Sequence, residues 1–519
     1  MILVEINEDR FKYDIHSLVK AFYPAEDVSV LTKEELEAKK DVVSEDLKLS
    51  MRLEYATKDG LINMEILHNG EIVRKVSAEC DKEAVEEAAE SDSEENSSKE
   101  VSESSTNGRA SSLSTPKNAL KQLMYRELCT EVGHELPWGS LTGIRPTRIP
   151  MQMLYENKSE PEIRDYMRGT FFVSEEKIDL AYNIAVREKK IMDDINYDGN
   201  YSIYLGIPFC PTTCLYCSFT SFPIATWKKT VGTYLSCLEK EIDYVAEAFK
   251  GKKVNSVYIG GGTPTTLEPD EMRRLITYLG DKIDLSGCRE FTVESGRPDS
   301  ITRDKLKAMK ECGVDRISVN PQTMSNETLK RIGRQHTVEQ FIEAYNFARE
   351  EGFDNINMDI ILGLPGETEA DVRHTMEEIE KLRPNDLTVH SLSVKRGSRL
   401  AEHIRTNGYF LEGDTGRMMD IAREGAARMG LTPYYMYRQK NISGNLENTG
   451  YAEEGKAGIY NILMMEEVQS IVALGAGTVT KRVYGDGRIE RCDNVKDVKL
   501  YIEKIDEMIG RKRELFGNK

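Results

Sequence analysis

The sequence has no run of apolar residues approaching the roughly 20 that a helix needs to cross a bilayer, which excludes a helical membrane protein. Its first residues lack the basic segment of a secretory signal peptide and turn acidic at once. Basic side chains are also in deficit, with 70 Lys and Arg against 88 Asp and Glu, and the net charge of -18 repels nucleic acid and anionic membranes. These deficits predict a cytoplasmic protein whose partners are not nucleic acids.

Cysteine is scarce but unevenly placed. The chain has nine cysteines, and three of them, Cys210, Cys214 and Cys217, lie within eight residues. In a reducing compartment such clustering favours metal ligation over disulfides. Three thiols without a nearby fourth ligand suit structural zinc poorly, because zinc usually takes four protein ligands, and they better suit an iron–sulfur cluster with one open iron. Three unrelated core cysteines are the alternative.

Composition and periodicity divide the 519 residues into segments. Alternating apolar residues predict a small α+β module over residues 1–80, and helical spacing predicts a helical segment over 118–195. Residues 81–117 are rich in Glu and Ser and almost free of large apolar side chains, so they predict a disordered acidic insertion. A partner-binding role for this charge is the alternative to a solvated insertion.

Beyond residue 200 short apolar runs alternate with amphipathic helical stretches, an order typical of repeated βα units around a parallel sheet. A helical stripe after the first run passes beside Cys237, for which we predict a buried structural thiol. Six strands are predicted, at 202–209, 256–259, 290–294, 315–319, 357–362 and 387–392. Polar or glycine residues stand at the ends of several of these strands, where active sites collect in barrels of this kind.

The segment YLGIPF at 204–209, followed by the cysteine triplet, resembles the radical S-adenosylmethionine (SAM) superfamily, in particular its oxygen-independent coproporphyrinogen III oxidase branch. The resemblance implies a [4Fe-4S] cluster held by Cys210, Cys214 and Cys217, with SAM chelating the open iron. It also implies the fold, an α/β partial (β/α)6 TIM-like barrel over 196–395 with an N-terminal α+β module and a C-terminal, substrate-covering extension over 396–519.

Four further motifs follow in the order that the superfamily shows: GGGTP at 260–264, FTVE at 291–294, RISVNPQ at 316–322 with LKRIGRQHT at 329–337, and NINMDIILGLPGET at 355–368. By this resemblance the cofactor-binding residues are Tyr204, Tyr216, Gly260, Gly261, Gly262, Thr263, Glu294, Gln322, Arg334 and Asp359.

The resemblance gives several of these residues a role. Glu294 would lie near the amino group of SAM, and Arg334 would meet its carboxylate, a task that suits a guanidinium fork. Gln322 and Asp359 would contact the ribose, and Tyr216 would pack beside the adenine. Taken alone, each residue is equally typical of a helix cap or a strand-end turn, so only their joint order and spacing carry the expectation.

Residues 434–441 (YYMYRQKN) and 444–448 (GNLEN) resemble the Z-type coproporphyrinogen dehydrogenases of this branch. Arg438 and Lys440 would then bind propionates while Tyr435 and Tyr437 flank a tetrapyrrole. An ordinary strand with alternating faces explains the same pattern, and both interpretations stay open.

The resemblance implies reductive cleavage of SAM to methionine and a 5'-deoxyadenosyl radical, with the electron supplied by a reduced flavodoxin- or ferredoxin-like donor. In this branch the radical takes a hydrogen from the β-carbon of a propionate of coproporphyrinogen III, and loss of carbon dioxide leaves a vinyl group. Two such conversions give protoporphyrinogen IX in haem biosynthesis, and an outside acceptor removes the leftover electron.

Three other functions remain open at this point. A haem-binding chaperone and a methyltransferase that opens haem are alternatives on the same barrel. A radical enzyme that modifies tRNA is a further one, which the net charge of -18 disfavours.

Overall fold

The computed structural model describes residues 1–24, 26–38, 47–55, 60–81, 115–219, 221–395, 397–407, 412–439 and 446–517. Nearly all of the predicted acidic insertion, together with Lys440, therefore lies outside the described residues. The chain separates into two compact units, Met1–Tyr182 and Asn183–Lys519. The finer division into five segments stays a prediction. Among the described helices, none combines the length and apolar character that a membrane crossing requires.

The first unit is built on a mixed sheet of five described strands. Strand β1 (Ile2–Ile6) pairs in parallel with β2 (Val28–Thr32) and β3 (Leu49–Glu54), and β4 (Leu61–His68) and β5 (Glu71–Glu79) follow antiparallel. Its helices are Lys12–Phe22, Lys33–Ala38, Pro116–Val132, Arg148–Tyr155, Glu160–Phe171 and the first part of Glu175–Asp193.

The described strands of the second unit are β6 Tyr201–Ile207, β7 Phe209–Cys210, β8 Phe222–Pro223, β9 Val254–Gly261, β10 Glu290–Glu294, β11 Arg316–Ser318, β12 Ile356–Leu362, β13 Asp386–Ser391, β14 Thr432–Tyr437, β15 Asn448–Ala452, β16 Ser470–Leu474, β17 Val479–Val483 and β18 Ile489–Asp493. All but β7 and β8 form one sheet, in the order β14-β15-β13-β12-β11-β10-β9-β6-β16-β17-β18. The consecutive strands from β13 to β16 in this order are parallel, and antiparallel pairs flank them at both edges.

All six predicted strands are confirmed: they are β6 and β9 to β13, with bounds within a few residues of those expected. The parallel strand β16 was not predicted, and it pairs with β6 although more than 260 residues separate the two. Residues 432–437 form strand β14, so the strand interpretation of this stretch is correct for its described part.

Helices cover the outer face of the parallel strands because one stripe of each helix is apolar. On Val231–Ala248, for example, Leu238, Ile242 and Val245 are fully buried, and Cys237 is only 6% exposed, as predicted for a structural thiol. The helices of this unit are Ile224–Trp227, Val231–Ala248, Pro269–Lys282, Arg303–Glu311, Asn326–Arg331, Val338–Glu350, Glu369–Leu382, Arg399–Asn407, Thr415–Arg428, Ile459–Glu466, Val498–Glu503 and Ile505–Phe516.

The sheet curves around an interior that is filled at its amino-terminal end. Arg316 at the start of β11 donates to the Asp386 carboxylate at the start of β13 over 2.6 Å, although β12 lies between these strands. Tyr434 donates its hydroxyl to the same carboxylate oxygen over 2.9 Å. Glu290, at the start of β10, accepts the first backbone amides of the helix Ile459–Glu466. These buried groups close this end, so the opposite end, at the carboxyl ends of the strands, is left for a site.

Candidate functional site

A glycine turn at the end of β9 brings the backbone against the loop of the predicted cluster cysteines. Gly261 has a φ of +106°, which side-chain-bearing residues rarely adopt. A Cβ on Gly260 would lie 2.8 Å from Glu294 Oε2, and one on Gly262 would lie 2.6 Å from the Phe209 carbonyl oxygen. The Gly262 amide donates to the Ile207 carbonyl over 2.8 Å. Gly261 is therefore favoured by its backbone conformation, and Gly260 and Gly262 by the close approach of neighbouring atoms.

The three clustered thiols have different neighbours. Cys210 Sγ accepts from the Thr263 hydroxyl at 3.4 Å, and Cys214 Sγ accepts from Arg297 Nη1 at 3.5 Å. The Cys217 amide donates to the Cys214 carbonyl over 3.2 Å, which folds the end of the loop back on itself. Burial raises the pKa of Cys210 to about 11 and also raises the pKa of Cys217, so both need a bound cation to be thiolates near neutral pH.

The donor set fits an iron–sulfur cluster better than a single ion. In the part of the chain that the structure describes, no three thiol, imidazole or carboxylate groups converge closely enough to enclose one metal ion. A mononuclear zinc site needs its ligands about 2.3 Å from one point, whereas a four-iron cluster binds each thiolate through a different iron. The thiol of Cys210 is nevertheless near enough to those of Cys214 and Cys217 for both to raise its pKa.

Two buried polar atoms beside the loop have no hydrogen-bond partner within the protein. These are Gln322 Oε1 and Arg334 Nε, on side chains only 6% and 7% exposed. Buried polar groups are normally paired, so an unmatched acceptor and an unmatched donor indicate a place for a polar ligand. A ligand with hydroxyl groups and a carboxylate, as SAM has, would satisfy both atoms, and the residues present therefore fit this cofactor.

Glu294 on β10 and Asp359 on β12, whose strands are separated by β11, have pKa values driven apart. Burial, followed by the charge of Asp359, raises the pKa of Glu294 to about 8, although the Gly261 amide opposes this shift. Burial also acts to raise the pKa of Asp359, but the nearby His390 imidazole and the hydrogen bond from Asn357 outweigh it, and the net pKa is below its ordinary value. Near neutral pH one carboxyl is thus protonated and the other is an ionised acceptor.

The Asp359 carboxylate is fixed by two amides. Asn320 Nδ2 and Asn357 Nδ2 each donate to it over 2.7 Å, and the backbone amide of Asp359 returns a bond to Asn320 Oδ1 over 3.1 Å. Gln322 joins the same group through its own backbone, whose amide donates to the Asp359 carbonyl over 2.9 Å. Gln322 has a φ of +66°, a strained conformation for a side-chain-bearing residue, and such strain concentrates at functional sites.

Arg334 contributes less to a ligand than a free guanidinium fork would. Its Nη1 donates to the carbonyls of Gly296 and Asn320 over 3.1 and 2.9 Å, and its Nη2 donates to the Tyr216 hydroxyl over 3.3 Å. Nε and the second hydrogen of Nη2 remain for the carboxylate that the sequence assigns to it. Tyr216 is thereby tied to Arg334 beside Cys214, and its contact with an adenine stays a prediction.

Tyr204 belongs to a stack of three tyrosine rings. Its ring centroid lies 6.0 Å from that of Tyr258 and 6.1 Å from that of Tyr460, and the latter two are 4.7 Å apart. Sequence reasoning missed Tyr258 and Tyr460. Tyr258 lies two residues before the first glycine of the turn and is paired in register with Tyr204, which is a usable signal, whereas Tyr460 is brought in from a distant helix.

Sequence reasoning also missed Arg297 and His390. Arg297 follows β10 and contacts the loop of the cluster cysteines, as described above. His390 on β13 is partly exposed, and its Nε2 lies 3.8 Å from Asp359 Oδ2. Neither residue belongs to the motifs that resemble the superfamily, so only the three-dimensional arrangement identifies them.

Two tyrosines of β14 stack, and a buried arginine follows the end of this strand. Tyr435 and Tyr437 stack with ring centroids 6.4 Å apart, and the Tyr435 ring crosses strand β15 at Gly450, where a Cβ would lie 2.0 Å from it. Arg438 directly follows β14, is 5% exposed, and has its pKa lowered by burial to about 10 despite the opposing charge of Glu447. The propionate-binding role of Arg438 stays a prediction.

Residues 204–379 match the family model of the radical SAM superfamily. The oxygen-independent coproporphyrinogen-III oxidase-like protein HemZ of Bacillus subtilis (strain 168) is 41% identical over 401 residues, which cover 76% of this chain and 80% of that protein. The chain therefore belongs to the radical SAM superfamily and, within it, to the family of this oxidase-like protein. Its cofactors are those of the superfamily, a [4Fe-4S] cluster and SAM.

Two further proteins are similar over less of the chain. The heme chaperone HemW of Bacillus subtilis (strain 168) is 35% identical over 195 residues, which cover 37% of this chain and 51% of the chaperone. The solved coproporphyrinogen III oxidase HemN from Escherichia coli is 22% identical, with a TM-score of 0.48, over 62% of this chain and 73% of that one. The relatives are thus linked to tetrapyrroles but carry names of different activities.

Proposed function

We propose that the protein catalyses the oxygen-independent oxidative decarboxylation of two propionates of coproporphyrinogen III to vinyl groups, yielding protoporphyrinogen IX. Each conversion consumes one SAM and releases carbon dioxide, methionine and 5'-deoxyadenosine. One electron enters from a reduced flavodoxin- or ferredoxin-like donor to cleave SAM, and one electron leaves the substrate for an outside acceptor. Such chemistry belongs in the reducing cytoplasm, and none of the nine cysteines, all described, forms a disulfide.

One observation carries the choice of substrate. The similarity to the oxidase-like relative covers 76% of the chain, whereas the similarity to the heme chaperone of the same organism covers 37%. A shared superfamily barrel accounts for a match of the shorter length, and the longer matches to heme chaperones are only 25% identical. The 41% match also includes residues outside the barrel, where a substrate-specific region is expected.

The chain's own residues supply binding and positioning. When bound, the cluster and SAM supply one-electron reduction and hydrogen-atom abstraction. Glu294 and the glycine turn hold the amino-acid part of SAM, Asp359 and Gln322 hold its ribose, and Arg334 Nε meets its carboxylate. The closed amino-terminal end keeps water from the reacting carbon, which protects a reactive species from side reactions. Tyr435 and Tyr437 offer an aromatic surface for the tetrapyrrole.

We propose that His390 positions a substrate propionate. Its imidazole lies 3.8 Å from the Asp359 carboxylate, beside the residue proposed for the ribose, and remains partly exposed. The His390→Asn variant should lower formation of protoporphyrinogen about tenfold or more, because a hydrogen bond to a charged group contributes about 1.5–3 kcal/mol. Cleavage of SAM without substrate should persist.

Product and 5'-deoxyadenosine are measured by chromatography, with His374→Asn, on an exposed helix face, as the matched control. Equal product yields for both variants would contradict this role.

The test of the function itself is an anaerobic assay of the reconstituted, reduced protein with SAM and coproporphyrinogen III. We expect 5'-deoxyadenosine and protoporphyrin, the latter after oxidation, to rise together in a ratio of two to one. Cleavage of SAM with coproporphyrinogen III left unchanged would overturn the proposal. Appearance of S-adenosylhomocysteine would indicate methyl transfer instead, because hydrogen abstraction does not produce it.

A heme chaperone is the second candidate, on the strength of the 35% identity to HemW. It predicts that haemin binds the protein with a spectral shift and is retained on gel filtration. It also predicts no consumption of coproporphyrinogen III. The two functions are therefore separated by measurements on the same preparation.

A further inference from the structure

Arg297 makes a contact with the cluster loop that none of the superfamily motifs assigns. The side chain is 4% exposed, and its Nη1 donates to Cys214 Sγ at 3.5 Å and to the Thr212 carbonyl at 3.1 Å. Its Nη2 donates to the Thr212 hydroxyl at 3.0 Å. One buried cation thus holds both the backbone of the loop and a ligand sulfur.

Asp299 fixes the orientation of this guanidinium. It accepts from Arg297 Nε and Nη2 at 3.0 and 2.9 Å, so the fork is held on two sides and all five N–H groups of Arg297 are used. Behind the pair lies His336, whose Nδ1 is 4.0 Å from Asp299 Oδ1. Burial lowers the pKa of His336 to about 3, and the imidazole is therefore neutral and adds no charge.

The other two thiols have no such neighbour among the described residues. Cys210 accepts only from the neutral Thr263 hydroxyl, and the loop around Cys217 is held by backbone bonds. The charges of Arg297 and Lys395 reach Cys210 and Cys217, respectively, without a direct contact. Among the described residues, Cys214 alone accepts a hydrogen bond from a cation: Arg297 touches it directly, and Arg334 acts on it through the Tyr216 hydroxyl. Hydrogen bonds to sulfur and nearby charge set the reduction potential of iron–sulfur clusters.

We propose that Arg297 is a positioning residue for the cluster, which orients Cys214 and favours the reduced state of the cluster through its N–H contact with the ligand sulfur. Reduction adds one electron from the flavodoxin- or ferredoxin-like donor to a cluster already bound by three thiolates. A fixed cation against one of these thiolates stabilises the added negative charge. The inference rests on the superfamily cofactor and not on the identity of the tetrapyrrole.

The test is a redox titration of the reconstituted protein, followed by electron paramagnetic resonance, without SAM or substrate. In Arg297→Gln we expect normal iron content and about tenfold less reduced cluster at a fixed potential, which is a midpoint about 59 mV more negative. The midpoint of Arg297→Lys, which keeps the charge but loses the guanidinium fork, should lie between the midpoints of Arg297→Gln and the parent protein. Arg303→Gln, an exposed substitution on a neighbouring helix, should leave the midpoint unchanged.

A second substitution separates an effect of charge from an effect of packing by the direction in which it moves the midpoint potential. Asp299→Asn removes the negative charge that offsets Arg297, so it should move the midpoint in the positive direction. A midpoint that is unchanged in Arg297→Gln, or that falls in both Arg297→Gln and Asp299→Asn, would overturn the proposal. Loss of iron from both the Gln and Lys variants of Arg297 would also overturn it, because the side chain would then only anchor the loop.

Discussion

Replacing any one of Cys210, Cys214 and Cys217 by alanine should abolish the iron–sulfur cluster and reduce cleavage of SAM to background. Each variant leaves two thiolates where the cluster needs three protein ligands, and the buried loop offers no other cysteine in the sequence nearby. Iron and sulfide content after anaerobic reconstitution, with the optical spectrum, is the measurement. We expect about four iron atoms per chain in the parent protein and close to none in each variant.

The chain contains its own controls for this experiment. Cys237 is buried in a helix, Cys288 donates its thiol to the Glu290 carbonyl over 3.1 Å, and Cys312 follows the helix Arg303–Glu311. Alanine at each of these three positions should leave the cluster intact and change only the melting temperature. Loss of the cluster from any of them would mean that the assignment of ligands is wrong.

Glu294→Gln should weaken the binding of SAM about 30-fold or more while the cluster remains. The substitution keeps the shape of the side chain but removes the carboxylate that forms when the ammonium group of SAM displaces the carboxyl proton, and truncating one partner of such a charged pair costs about 2–5 kcal/mol. Equilibrium binding of SAM to the oxidised, reconstituted protein is the measurement, with the exposed Glu327→Gln as a control. An unchanged affinity in Glu294→Gln would contradict the contact with the amino group.

The Glu294 carboxyl also predicts that the affinity for SAM depends on pH. Its pKa is raised to about 8, so in the ligand-free protein it is protonated below that pH and ionised above it. Asp359 opposes the ionised form, while Arg316 and Arg334 favour it. The ionised carboxylate is the better acceptor, and the affinity of the parent relative to Glu294→Gln should therefore rise as the pH increases from 7 to 9.

Features that are contiguous in the sequence were predictable. The cysteine triplet and the glycine turn each sit within a few residues, and the six barrel strands appear as short apolar runs between amphipathic helices. Glu294 and Asp359 were singled out by the resemblance to the superfamily motifs, and the strands that carry them were predicted from their apolar runs. Local chemistry and local periodicity are sufficient for features of this kind.

Features that depend on distant pairing were not predictable. Strand β16 joins β6 through a register that no local pattern specifies, and Tyr460 reaches the stack of tyrosines from the helix Ile459–Glu466. Arg297 carries no motif, and its role appears only once Thr212 and Cys214 are seen beside it. The occupied Nη atoms of Arg334 likewise follow from the fold, since neighbouring carbonyls take the positions that the sequence assigns to a ligand.

The filled amino-terminal end of the described barrel leaves the carboxyl ends of its strands as the route to the site. On the proposed function, spent methionine and 5'-deoxyadenosine would leave, and fresh SAM would enter, at the same end at which the tetrapyrrole binds. A tetrapyrrole lying over this end would then obstruct the exchange of SAM between its two decarboxylations. We expect the tetrapyrrole with one vinyl and three propionates to be released between turnovers, so that a chase with excess unlabelled coproporphyrinogen III traps it in free solution.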